Sequence, residues 1–253
     1  MKKQEQLTRE VKLFGNGAHI FVPKEWFGEK IMLIRPEKKT LKERIIKILE
    51  PHLDKIIGVY LCGSQARGEQ QPDSDIDILI IASEKIKIKE KGLEIICIQE
   101  SLIEQAIQLE PLLFYSMVAE AKPIINASLL KSLRDKHTPK EADFKEFIKT
   151  TKKFLEISQT FLAKEGEYIS REAELYSTVL RARGIFSIKQ LIKGKAYSHK
   201  EFKHWIAKNI PNVNFTTIYE SYRKSKMNLP HKQKIKRQDL LILIDFLKKE
   251  LAQ

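Results

Sequence analysis

A chain of 253 residues, 42% hydrophobic and 31% charged, can bury a core, which excludes a disulfide mini-protein and a disordered chain. Its two cysteines, Cys62 and Cys97, lie in apolar runs and suit buried reduced thiols better than a secreted disulfide framework, and no apolar run reaches the ~18 residues of a membrane span. The net charge of +13 is unevenly placed: residues 1–130 carry 19 basic and 19 acidic residues, so the whole excess falls in 131–253. Such a split points to a polyanionic partner, most simply nucleic acid. Heat adaptation would explain abundant charge in a Lys-, Glu- and Ile-rich chain, but not the imbalance.

From the N-terminus, Met1-Lys-Lys-Gln-Glu-Gln leads into no apolar stretch, so no signal peptide is expected and a cytoplasmic location is. Val11 and Leu13, then Gly15-Asn16-Gly17, then His19-Ile20-Phe21-Val22 predict two short strands joined at the Asn-Gly turn. A third strand is expected over Lys30–Arg35, ending at Pro36. A hairpin of this size cannot bury a core alone and must pack on the rest of the chain or on a copy of itself.

Thr40 to Leu53 has apolar residues at helical spacing, with Thr40 as N-cap and Glu43 closing a capping box. The Ile-rich runs Ile56–Cys62, Ile76–Ile81 and Leu93–Ile98 predict three buried strands. Ser101 to about Asp135 reads as helix broken at Pro111 and Pro123. From about 139 onward every segment reads as helix, including stripes at Phe144–Ile157 and Leu175–Leu180, an N-cap at Ser198, and a last helix over Leu240–Leu251. The fold class is therefore α+β, with a β-hairpin module at 1–38, a small mixed-sheet domain at 39–130 and a basic all-helical domain at 131–253.

Chemistry concentrates in Gly63-Ser-Gln-Ala-Arg-Gly-Glu-Gln-Gln-Pro-Asp-Ser-Asp-Ile-Asp77. A buried strand ends at Cys62, and the missing side chain of Gly63 lets backbone N–H groups and the Ser64 hydroxyl approach a phosphate. Asp75 and Asp77 lie two residues apart at the start of the next strand, so they share a face. Two carboxylates so placed repel each other unless a cation lies between them, and oxygen ligands favour Mg²⁺ or Mn²⁺. Asp73 fits a turn or N-cap residue. Arg67 is open between a salt bridge and a phosphate contact.

This stretch closely resembles the signature of the nucleotidyltransferase superfamily that includes DNA polymerase beta, and most of all its minimal prokaryotic branch. Gly63, Ser64, Ala66, Arg67, Gly68, Asp73, Ser74, Asp75 and Asp77 match the pattern. The resemblance implies that Gly63 and Ser64, with Arg67, hold a nucleoside triphosphate, ATP being the expected donor. It implies that Asp75 and Asp77 bind the metals, and it adds a third carboxylate on the following strand. Glu94 matches that position, where the family usually has Asp; Asp75, Asp77 and Glu94 are thus the expected metal and catalytic set. The implied reaction moves a nucleoside monophosphate to an unidentified acceptor. The alternative is a nucleic-acid-binding regulator or antitoxin with a vestigial core.

The stretch from Val11 to Lys30, with Phe14-Gly-Asn, Val22-Pro-Lys-Glu-Trp26 and Gly28, resembles archaeal swapped-hairpin domains of the AbrB type, which implies a homodimer. The other reading is an edge extension of the mixed sheet. The C-terminal helices loosely resemble helical partners of minimal nucleotidyltransferases, some of them RNases with an Arg followed four to six residues later by His. Arg134 lies too close to His137 and Arg223 too far from His231, so no nuclease is expected. Tyr197, Trp205, Tyr219 and Tyr222 interleave with basic residues, yet at helical spacing they read first as core and only second as a base-stacking surface.

Overall fold

The computed structural model describes residues 7–34, 40–71, 74–170, 172–227, 229 and 234–252. The chain divides into two compact units, Met1–Glu43 and Arg44–Gln253.

In the first unit, β1 (Lys12–Phe14) and β2 (Gly17–His19) pair antiparallel in a two-stranded sheet. Both strands are displaced from their expected positions because the two-residue loop is Gly15-Asn16. Gly15 takes φ +53°, while Asn16 keeps a negative φ. That is the demand of a type II′ turn, which places glycine first. The third expected strand is absent: residues 30–34 are irregular, with no ladder partner to fix them, and Arg35 and Pro36 lie outside the described residues. Leu13 (89% exposed), Phe14, Phe21, Phe27 (95% exposed) and Met32 all leave their side chains in solvent. The capping box forms as expected: Thr40 N–H donates to Glu43 Oε2 at 2.8 Å and Glu43 N–H to Thr40 Oγ1 at 3.2 Å. It opens α1 (Leu41–Leu49).

The second unit holds a four-stranded mixed sheet in the order β5-β4-β3-β6. Strand β3 (Ile56–Cys62) runs into the short helix α2 (Gly63–Arg67) and lies antiparallel to β4 (Ile76–Ala82), which lies parallel to β5 (Leu93–Gln99). Helices α3 (Ile103–Leu109) and α4 (Pro111–Glu120) break where Pro111 was expected to break them. The Pro123 region is not a helix break but a strand, β6 (Lys122–Ile125), antiparallel to β3. An edge position tolerates proline because one row of N–H groups needs no ladder partner. Asn126, at φ 63°, then caps α5 (Ala127–Lys136), its side chain accepting from Leu129 N–H.

Beyond α5 the described residues form mainly helices: α6 (Lys145–Leu162), α7 (Glu172–Ile192), α8 (His199–Asn209), α9 (Phe215–Lys226) and α10 (Arg237–Glu250). Ser198 caps α8 as its sequence predicts. Two apolar clusters result. One packs Leu155, Val179, Phe202, Ile218, Leu243 and their neighbours. Tyr197, Tyr219 and Tyr222 are buried there with Trp205 packed against them, so these aromatics are core. The other packs Tyr60, Cys62, Leu79 and Ile81 of the sheet under Phe114, Met117 and Leu133, and takes in Phe144, Ile188 and Leu191. Each fully buried side chain of this size contributes about 1.5–3 kcal/mol of transfer free energy.

Candidate active site

The site forms where β3 ends and β4 begins. Ladder register sets Asp77 opposite Cys62 on one side and Glu94 on the other. Residues in register share a face of the sheet, so the Asp77 and Glu94 carboxyls flank one another. Asp75, just before β4, completes the expected trio and is exposed, as is Glu94, while Asp77 is half-buried. Gly63 takes φ +65°, and a Cβ there would overlap the Asp77 carboxyl. Glycine is therefore required twice, by backbone conformation and by the approach of a carboxylate. Ser64 follows in α2, half-buried. Asp73 lies outside the described residues.

Burial pushes the Asp77 carboxyl up to about 6, and Glu94, Glu120 and Asp75 add like-charge repulsion. Lys226, at the end of α9, acts on it in the opposite direction. Crowded hard oxygen donors of this kind suit a small divalent cation chemically. Among the described residues, no three His, Cys, Asp or Glu side chains converge closely enough to ligate one ion as they stand. Burial, followed by the Glu120 charge, pushes the Cys62 thiol up to about 12, which disfavours the thiolate at neutral pH.

Arg67 is largely buried and ion-paired. Its Nε donates to Glu69 Oε2 at 2.8 Å, its Nη1 pairs with Glu120 Oε2, and its guanidinium lies 5.1 Å from the Tyr197 ring centre. Burial opposes the Arg67 charge, but Glu120 and Glu69 outweigh it and raise its pKa. Glu120 Oε1 also accepts the Gly63 N–H at 2.6 Å. Glu69 in turn reaches the helical region: its Oε1 accepts from His199 N–H at 2.9 Å and from the Ser198 hydroxyl at 3.3 Å. Burial, with Lys203 next in effect, lowers His199 to about 4. Beside it Arg183 donates from Nη1 to the Tyr222 hydroxyl at 2.7 Å.

Glu69, Glu120, Tyr197, His199 and Lys226 were not singled out as site residues by the sequence. Glu69 directly follows the matched Arg-Gly, which was a usable signal. Glu120 ends an apolar helix and has no local signal at all; only the fold brings it to Gly63.

Residues 43–132 match the family described as "Polymerase beta, Nucleotidyltransferase", so this segment carries a nucleotidyltransferase domain of that superfamily. Over 53 residues the chain is 43% identical to the "Putative protein adenylyltransferase" of Methanocaldococcus jannaschii, a match covering 21% of this chain and 50% of that protein. The chain thus spans half the length of that relative. Among solved structures, the spectinomycin adenyltransferase AAD(9) of Enterococcus faecialis, crystallised with ATP and spectinomycin, aligns at TM-score 0.45 and 17% identity, over 83% of this chain and 97% of that one. A nucleotidyltransferase-like protein of Exiguobacterium sibiricum aligns at TM-score 0.34 and 12% identity, over 84% of this chain and 75% of that one.

Proposed function

We propose that this protein is an adenylyltransferase that moves AMP from ATP to an acceptor hydroxyl or phosphate. The observation that carries the reading is the close approach of Gly63 to the Asp77 carboxyl within the segment that matches the nucleotidyltransferase family, which supports a phosphate cradle beside a carboxylate pair. The acceptor oxygen attacks the α-phosphorus, the bond to the bridging oxygen breaks, and pyrophosphate leaves with that electron pair. Gly63 N–H, the Ser64 hydroxyl and Arg67 receive triphosphate oxygens. Asp75, Asp77 and Glu94 would hold Mg²⁺ or Mn²⁺. When bound, the cation neutralises charge on the departing pyrophosphate. Glu94, exposed beside Asp77, takes the proton of the acceptor hydroxyl.

The name of the Methanocaldococcus relative makes a protein hydroxyl the acceptor class to test first. Incubation with α-labelled ATP, Mg²⁺ and cell extract should transfer label to a protein, and Asp77→Asn should abolish it. If incubation with extract gives no labelling and no pyrophosphate release, the reading is refuted.

The same proposal includes a homodimer paired through residues 1–36, supported by the exposed apolar side chains of that unit. It also includes nucleic acid as a partner of the basic region 131–253, supported by its charge.

A further inference from the structure

The two donors assigned to the nucleotide, Gly63 N–H and Arg67, are both taken by one side chain. Glu120 Oε1 accepts from Gly63 N–H at 2.6 Å while Glu120 Oε2 pairs with Arg67. Glu120 is the last residue of α4, and its side chain is only 9% exposed. Such a carboxylate presents two oxygens to two donors much as a phosphoryl group would. A backbone N–H is a single donor, so Glu120 and a phosphate oxygen cannot both hold it at full strength.

We propose that Glu120 is an internal stand-in for phosphate, which keeps the cradle shaped in the nucleotide-free protein and must yield when a triphosphate enters. The inference rests on the adenylyltransferase reading for the identity of the ligand, not for the competition itself. Three features suit an exchange. Arg67 keeps Glu69 as a partner throughout, so leaving Glu120 strands no buried cation. The entering group is itself an anion, so Gly63 N–H passes from one charged acceptor to another. Glu120 also sits among like charges, for Asp77 feels both it and Glu94. A nucleotide therefore binds only the fraction of molecules in which Glu120 has let go, and its apparent affinity is reduced by that fraction.

The test compares ATP and inorganic tripolyphosphate binding in the full-length protein and in Glu120→Gln, by calorimetry at constant Mg²⁺. Glutamine keeps an acceptor for Gly63 N–H but loses the charge. Both ligands should bind Glu120→Gln about tenfold more tightly, while the ligand-free variant melts at a lower temperature, since Arg67 has lost one of two anions. In the unaltered protein, the Gly63 amide resonance should shift when tripolyphosphate is added. Equal or weaker binding by folded Glu120→Gln, no binding by either protein, or an unmoved Gly63 resonance at saturating tripolyphosphate would each overturn the inference. Tighter binding without AMP transfer would instead refute the adenylyltransferase reading and leave the competition standing. Transfer with unchanged affinity would do the reverse.

Discussion

Asp77 shows how one side chain sets opposite demands on stability and function. Its carboxyl is raised from 3.8 to about 6. The folded protein therefore holds a proton there that the unfolded chain has released, and stability falls as pH rises through that window. Asp77→Asn should raise the melting temperature at pH 7.5 and lose that advantage near pH 4, whereas Mg²⁺-dependent turnover should be abolished at every pH. A difference in melting temperature between Asp77→Asn and the unaltered protein that is the same at both pH values would contradict the burial argument. His199 has the opposite sign. It is lowered to about 4 from 6.5, so an unfolded chain gains a proton that the fold refuses, and stability is lost as pH falls from 6.5 towards 4. His199→Phe, which keeps an aromatic ring against Tyr219, whose ring centre lies 4.6 Å from that of His199, should flatten that part of a melting-temperature profile. Gly63→Ala adds a strained backbone and an overlap with Asp77, and should cost about 1–3 kcal/mol in denaturant titration along with ATP binding. Asp75, Asp77 and Gly63 were legible because strand periodicity and glycine chemistry are local. Glu120 was not, because its role arises only when α4 is packed on β3.

At the scale of elements, sequence served best where one local force dominates. The Ile-rich runs gave β3, β4 and β5 almost to the residue, since continuous apolar stretches of that length between turn signals fit little else. Strand β6 escaped because proline argues against a strand until it is known to lie at an edge. Residues 30–34 failed in the other sense, for an apolar run without a neighbouring strand has nothing to pair with. The hairpin unit carries the clearest test at this level. Its exposed Leu13, Phe14, Phe27 and Met32 leave apolar area that a second copy would cover. Removal of residues 1–36 should convert a dimer into a monomer by light scattering, and a full-length protein already monomeric at micromolar concentration would refute the pairing.

Across the whole molecule, the charge split has a measurable consequence. Lys145, Lys149, Lys152 and Lys153 stand exposed along α6. Lysine contacts to phosphate release counterions, so log affinity for duplex DNA or tRNA should fall with log salt at a slope of roughly −0.7 to −0.9 per contact. Reversing charge at Lys149, Lys152 and Lys153 in the full chain should make the slope shallower by about two or three and weaken all sequences alike. Absence of binding at low salt would leave the basic region as a solvated surface. The sequence showed the asymmetry of charge but not the sharing of the core. The sheet's apolar cluster draws on Phe144, Ile188 and Leu191, and helical periodicity says only that a face is buried, never against what.

That shared core bears on how the protein is made. A ribosome releases the Gly63–Asp77 stretch early, yet the cluster beneath it lacks Ile188 and Leu191 until most of the chain has emerged. A nascent or prematurely terminated polypeptide ending near residue 140 would carry every proposed metal-binding carboxylate and still lack Phe144, Ile188 and Leu191 of that cluster. The proposed site can therefore reach its final packing only after most of the chain has been made.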